Sequence, residues 1–357
     1  MVESKWKKEK YLIIKGTCGL GNRLMTLANA LEYCERTGRI ISVDWCDGMF
    51  APKGINAFNE YFEIRDFPWQ GEINLHKEDA RSFYPDVLRN LPDDFGLDEY
   101  FHTSSANKKG SKILERLIHF GSGVAHRLLS EDYFKFYFVL WIRWELCDCH
   151  VKIKSRLPGG NQFCLGGDLP LARKEDVIIF GDFCPVYNKE YLKRYVFLKE
   201  GIAEEIINFC EGNGLRKRTI GLHIRCTDKC FEQDIEKLFQ KVEDLMKEHH
   251  LEKLFLATDQ VKVIESAKQS FGEKLLLYDK YLPELESGGA QGIHTWASEQ
   301  ENEEIQLRMY HDAVIEMYLL AETEFLLYQG NSTFSTISRD MSLGRSNSCY
   351  DWQKMIE

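Results

Sequence analysis

The run Gly221-Leu222-His223-Ile224-Arg225-Cys226-Thr227-Asp228-Lys229 joins an apolar strand pattern to a cluster of charge. Ile220, Leu222 and Ile224 alternate along Thr219 to Ile224, so His223 and Arg225 share the other face of the extended chain. In an open α/β sheet ligands gather beyond the carboxyl ends of the strands, where such side chains converge. The guanidinium of Arg225 suits a phosphate there, because its planar fork donates two parallel N–H bonds to oxygen. A lone His-x-Arg also fits a salt-bridged strand end, and two further segments are needed to weigh the readings.

The first is Gly16-Thr17-Cys18-Gly19-Leu20-Gly21-Asn22-Arg23, between a strand pattern and a helical one. It is neither common nucleotide fingerprint. A P-loop ends in Gly-Lys-Ser/Thr, and the dinucleotide motif spaces its glycines G-x-G-x-x-G rather than G-x-x-G-x-G. A glycine turn at a helix start still offers free N–H groups to an anion, with Gly21, Asn22 and Arg23 at the same place. The plainer reading is a tight turn that needs glycine for its backbone angles. The second is Gln329-Gly330-Asn331-Ser332-Thr333-Phe334-Ser335-Thr336, another helix start rich in hydroxyls. Upstream, Asp312 and Glu316 stand four apart and project from one helix face. A carboxylate there can accept two N–H bonds from a guanine edge, or be an ordinary solvated side chain. Leu254 to Asp259 reads as a third strand with Thr-Asp at its end; Asp259 fits an orienting role, a loop anchor or a helix cap. Together these residues describe a crevice for a phosphate-bearing ligand.

The elements that must position them form an α/β rhythm. Tyr11–Lys15 and Ile40–Asp44 read as strands around a helix over 24–37, a βαβ unit. Residues 47–110 are loop-rich, 152–173 form a long connection, and Val177–Phe180 is a short strand. A helix is expected over 191–210, closed by Gly212 and Gly214. Beyond it, strands at 219–224, 253–257, 274–278 and 324–327 alternate with helical patterns at 232–248, 260–270 and 299–321. That alternation predicts doubly wound parallel sheet. Two α/β domains facing a cleft are expected, divided as 1–195 and 196–357.

Size and composition fit this. The 357 residues suffice for two domains, and a formal charge of −10 argues against general nucleic-acid or anionic-membrane binding. Met1 to Lys10 is polar and lysine-rich with no apolar signal core after it, so the eleven irregularly spaced cysteines are expected as reduced thiols in the cytoplasm. Tyr133 to Trp144 is too short for a transmembrane segment and carries Lys135 and Arg143. Cys147-Asp148-Cys149-His150 is too tightly spaced for structural zinc and lacks a second pair. No Asp-x-Asp clamp stands beside a strand end, so no metal is expected.

The order Gly-Leu-Gly-Asn-Arg, His-Ile-Arg-x-Thr-Asp-Lys, Leu-Ala-Thr-Asp and Ser-Thr-Phe-Ser resembles the GDP-fucose-dependent fucosyltransferases, above all the α1,6-type and nodulation enzymes. The protein O- and α1,2-fucosyltransferases are relatives. The resemblance runs from about 220 to 341, is thin over 16–31 and is missing from 47 to 173. It implies a GT-B-like fold of two Rossmann-like domains, inverting transfer of fucose from GDP-fucose to a glycan or glycoconjugate hydroxyl, and no metal or separate cofactor. By position it implies Arg225 on the β-phosphate, His223 near the guanine and Glu316 reading the base. Ser335 and Thr336 fall near the phosphates with Ser332 and Thr333, Asn22 lies in the first-domain loop, and His294 matches a further loop. Two departures stand out. The α1,6 enzymes carry a second arginine where this chain has Cys226, a loss that weakens donor binding or that Lys229 offsets. Their proposed base falls on Gln233 here, which leaves the base open between Glu232 and Asp228. The other readings are the same fold with another nucleotide sugar, and a non-catalytic nucleotide- or glycan-binding protein.

Overall fold

The computed structural model describes residues 9–16, 18–71, 82–84, 174–181, 187–228, 235–285, 292–342 and 348–355. Cys147–His150, Tyr133–Trp144, the 152–173 connection, Lys229, Glu232 and Gln233 lie outside them.

Two parallel sheets carry the fold. The first has the order β2-β1-β5-β4, with β1 (Tyr11–Lys15), β2 (Ile40–Asp44), β4 (Phe83–Tyr84) and β5 (Val177–Phe180). The second has the order β11-β10-β7-β8-β9, with β7 (Thr219–Ile224), β8 (Lys253–Thr258), β9 (Leu275–Leu276), β10 (Phe325–Tyr328) and β11 (Cys349–Asp351). Every residue of β1 and β7 is buried, as expected for inner strands of parallel sheets covered on both faces. Strand order reverses beside β1 in one sheet and beside β7 in the other, and such switch points open crevices beyond the carboxyl ends. The segments that follow β1 and β7 are the glycine turn and the Arg225 loop.

Helices seal the sheets. α1 (Leu20–Thr37) buries one side against β1 and β2 and stops at Gly38, whose φ of 67° suits glycine. α2 (Ala57–Tyr61) leads into β3 (Phe62–Ile64). After α3 (Glu190–Tyr195), strand β6 (Val196–Leu198) pairs antiparallel with β3, and α4 (Glu200–Asn213) follows. The helix expected over 191–210 is therefore split, because the apolar, β-prone Val-Phe-Leu finds a strand partner more than a hundred residues away. α5 (Ile235–Glu248) and α6 (Val261–Phe271) cover the second sheet. The helix expected over 299–321 is α8 (Glu303–Glu322), preceded by a separate short α7 (Ile293–Ser298). Asn302 makes the division: its side chain accepts the N–H groups of Glu304 and Ile305 and caps α8. α9 (Thr333–Ser342) closes the order before β11. Within 47–110, α2, β3 and β4 are too short to leave a periodic trace.

One apolar core joins the halves. Leu12, Leu24, Leu27, Val43 and Phe180 of the first half share it with Met309, Tyr310, Val314, Met317 and Ile337 of α8 and α9. Two further clusters cover the faces of the second sheet, one around Leu222, Leu254 and Trp352 and one around Phe255, Ile315 and Leu326.

Candidate active site

A cavity of about 740 Å³ lies between the carboxyl edges of the two sheets. Cys18 to Asn22 reach it from β1, His223, Arg225 and Asp228 from β7, Thr258 and Asp259 from β8, and Asn331, Thr333 and Phe334 from β10. Glu316 and Asp312 line it from α8, and Lys280 and Tyr281 from the chain beyond β9.

Arg225 is the fixed cation at its centre. Its Nε and Nη2 each donate to Asp228 at 2.6 Å, a bidentate pair whose side chains are 16% and 19% exposed. The Nη1 edge of the fork is left for an oxygen ligand. Its backbone is clamped as well. The Arg225 N–H donates to Gln329 Oε1 at 2.7 Å, and Gln329 Nε2 donates back to the Arg225 carbonyl at 3.2 Å. Gln329 is itself held by Ser335, whose Oγ accepts the Gln329 N–H and donates to its carbonyl. Asp259 secures the next turn by accepting the N–H groups of Cys226 at 2.7 Å and Thr227 at 3.1 Å. Of its three sequence readings the loop anchor is the one realised; the cap of α6 is Gln260, which makes no side-chain cap bond.

Two helix starts open on the same space. α1 begins at Gly19 without a side-chain cap, and Ser332, before α9, leaves its buried Oγ without a hydrogen bond. The first N–H groups of both helices thus stay open to an anion. The two starts touch: an added Cβ on Gly21 would lie 2.5 Å from the Thr333 carbonyl carbon and oxygen. Gly21 is needed for this close approach. Gly292 has a similar task, since a Cβ there would lie 2.7 Å from both Arg225 Nη2 and His294 Cε1.

Two histidines line the cavity uncharged. Burial, helped by Arg225 and Lys280, holds His223 down at about 3, and its ring stacks on Phe334 at 5.0 Å with Nδ1 unpartnered. Burial and Arg225 hold His294 at about 4, against the opposing pull of Asp228. Glu316 is buried and paired with Lys280 at 2.6 Å, and burial pushes its carboxyl up against the pull of the ammonium. Asp312 accepts the Tyr281 N–H at 3.0 Å, so the two α8 carboxylates dock the 280–281 segment together.

Several sequence expectations take a different place. Arg23 does not line the cavity: it is 1% exposed, pairs with Asp47 through both Nη atoms and lies between the Trp45 and Phe50 rings. Its partner lies 24 residues on, in an irregular segment that carries no motif. Of the four hydroxyls at α9 only Thr333 reaches the cavity; Ser335 braces Gln329 and Thr336 bonds back to the Ser332 carbonyl at 2.9 Å. Cys226 is 2% exposed in the core beside β7, and burial pushes its thiol up to about 12. Lys280 and Gln329 were not picked out as functional: Lys280 sits in no motif, and Gln329 acts through the backbone of a residue a hundred positions away. Among the described residues no group of three or more His, Cys, Asp or Glu is placed to hold a metal ion, and no helix is long and apolar enough to cross a membrane.

No protein-family model matches the chain, and no curated protein matches it in sequence. Solved structures do match it. The crystal structure of NodZ α1,6-fucosyltransferase soaked with GDP-fucose is 18% identical with a TM-score of 0.55, over 94% of this chain and 93% of that one. The NodZ fucosyltransferase from Bradyrhizobium is 18% identical with a TM-score of 0.56, over 93% and 92%. NodZ co-crystallised with GDP is 17% identical with a TM-score of 0.55, also over 93% and 92%. At that identity the likeness is one of fold, and it spans nearly the whole of both chains: the chain has the GT-B-like fold of the NodZ fucosyltransferase structures.

Proposed function

We propose that this chain is a glycosyltransferase that moves fucose from GDP-fucose to a hydroxyl of a glycan or glycoconjugate, with inversion and without a metal ion. The observation that carries the reading is Arg225, clamped through its backbone and side chain at the switch point of the second sheet, beside two uncapped helix starts. The fold supports the donor, since NodZ of the same fold has been soaked with GDP-fucose. We assign residues 1–195 to the acceptor side and 196–357 to the nucleotide side, and place the protein in the cytoplasm, where buried thiols such as Cys34 and Cys226 stay reduced.

In this mechanism the bond between fucose C1 and the β-phosphate oxygen breaks, and its electron pair passes to the phosphate. Charge grows there, and Arg225, Asn22 and the N–H groups at Gly21 and Thr333 meet it in an arrangement set before the reaction. The acceptor oxygen bonds to C1 from the opposite face, and its proton passes to a general base. Asp228 has both oxygens on Arg225, which supports a positioning role for it and leaves the base to Glu232. His223 and Glu316 take the guanine. The cation lost at Cys226 is supplied by Lys229.

The test is release of GDP from GDP-fucose, with GDP-mannose and UDP-galactose as controls and water or a glycan library as acceptor. Turnover specific to GDP-fucose is expected, and Arg225→Ala should lower it about a hundredfold or more while the protein stays folded, the effect of removing one preorganised donor to a developing anion. Turnover only with another donor keeps the fold and discards fucose. An Arg225→Ala enzyme as active as the parent would overturn the assignment.

A further inference from the structure

Lys280 lines the cavity with a side chain only 11% exposed. A buried ammonium is costly unless its N–H bonds are taken up. Two of the three are used: Nζ donates to the Thr258 carbonyl and to Glu316 Oε2, both at 2.6 Å. The backbone next to it cannot drift, because Asp312 holds the Tyr281 N–H. The third N–H therefore has a fixed direction. Three buried polar atoms on residues that line the same cavity have no partner, Glu316 Oε1 and Thr258 Oγ1 on the two residues that hold Nζ, and His223 Nδ1. Unsatisfied atoms at such density are rare in a folded protein and mark a site that a ligand completes.

We infer that Lys280 is a base-reading residue, whose remaining N–H donates to the O6 carbonyl of guanine while the adjacent Glu316 Oε1 accepts the ring N1–H or the N2 amine. This inference rests on the nucleotide-sugar reading above and adds to it the donor half of the recognition. A carboxylate alone accepts from any amine-bearing base edge. The ammonium beside it demands a carbonyl next to the N–H, and an adenine held the same way turns its N6 amine toward Nζ, donor against donor. Lys280 also fixes the rotamer of Glu316, so that one carboxylate oxygen is tied back and the other is presented.

Calorimetric titrations of the parent, Lys280→Met and Lys280→Met/Glu316→Gln with GDP, IDP and the diphosphate of 2-aminopurine riboside, which lacks O6, test it. The 2-aminopurine base lacks the N1–H as well as O6, and the loss of two hydrogen bonds to charged groups should cost the parent about a hundredfold or more in affinity. In Lys280→Met the preference for GDP over the 2-aminopurine nucleotide should fall about tenfold or more, leaving only the part owed to the N1–H bond with Glu316. The double variant, which carries no stranded buried carboxylate, should lose most of that remainder too and guards against a folding defect in the single one. In the double variant the preference for GDP over IDP should shrink as well. A Lys280→Met protein that keeps the full preference for the O6 carbonyl overturns the role of Lys280 and leaves the donor assignment standing. A parent protein that binds none of these nucleotides overturns both.

Discussion

The proposed mechanism gives Asp228 and Glu232 two different tasks, orienting Arg225 and taking the acceptor proton. With both oxygens on Arg225 at 2.6 Å, Asp228 orients the fork. Asp228→Asn should therefore weaken GDP binding and raise KM several-fold. Glu232→Gln should leave GDP affinity intact and lower kcat by about 10²- to 10⁴-fold, the usual weight of a general base. Steady-state kinetics with GDP-fucose, paired with GDP titrations, separate the two; a kcat loss in Asp228→Asn at unchanged GDP affinity, with a normal Glu232→Gln, would exchange the roles. Sequence made the residue types legible here. His223, Arg225, Asp228, Glu316 and Thr333 all line the cavity, as their patterns suggest. Directions of side chains were another matter. Arg23, Ser335 and Thr336 have suitable chemistry beside suitable glycines, yet Asp47 holds Arg23 and local backbone bonds take up the two hydroxyls. Lys280 was invisible because a lysine in an irregular segment shows its use only when Glu316 and Thr258 are seen around it.

The elements that carry these residues were read well where they are long and periodic. β1, β2, β5 and β7 fall where alternation and apolar runs place them, and β8 is one residue longer. Missed elements are those whose stability is not local, such as β6, which exists through its pairing with β3, and α7, separated from α8 by the Asn302 cap. The glycine turn was legible as a helix start, while the close approach it permits was not. Its Gly21 lets α1 meet α9, backbone against backbone, in front of Arg225. Gly21→Ala should destabilise the protein by about 1–3 kcal/mol, the range for overpacking, because backbone atoms cannot step aside as a flexible side chain does. Gly212→Ala, exposed in α4 with nothing within 4 Å of the added methyl, should be neutral or stabilising by about 0.5–1 kcal/mol. Denaturant midpoints check the pair, and equal effects at the two positions would mean that the α1–α9 contact does not govern stability.

The molecule as a whole presents one shaped crevice between two sheets that share a core, so the helix starts of α1 and α9 and the Arg225 fork face one space. Around it the chain is acidic, with a net charge of −10, and the cations Arg225 and Lys280 sit inside the cavity rather than in an open basic face. That distribution fits a small anion recognised by shape and hydrogen bonds, and it ties the nucleotide, the fold and the mechanism to a single binding event. A calorimetric titration with GDP, with UDP and ADP beside it and EDTA in the buffer, examines that event. Saturable binding of GDP, with UDP and ADP weaker by at least tenfold, is the expected result. Equal binding of all three, or binding of GDP that EDTA abolishes, would contradict a guanine-reading site in which Arg225 and helix N–H groups hold the diphosphate.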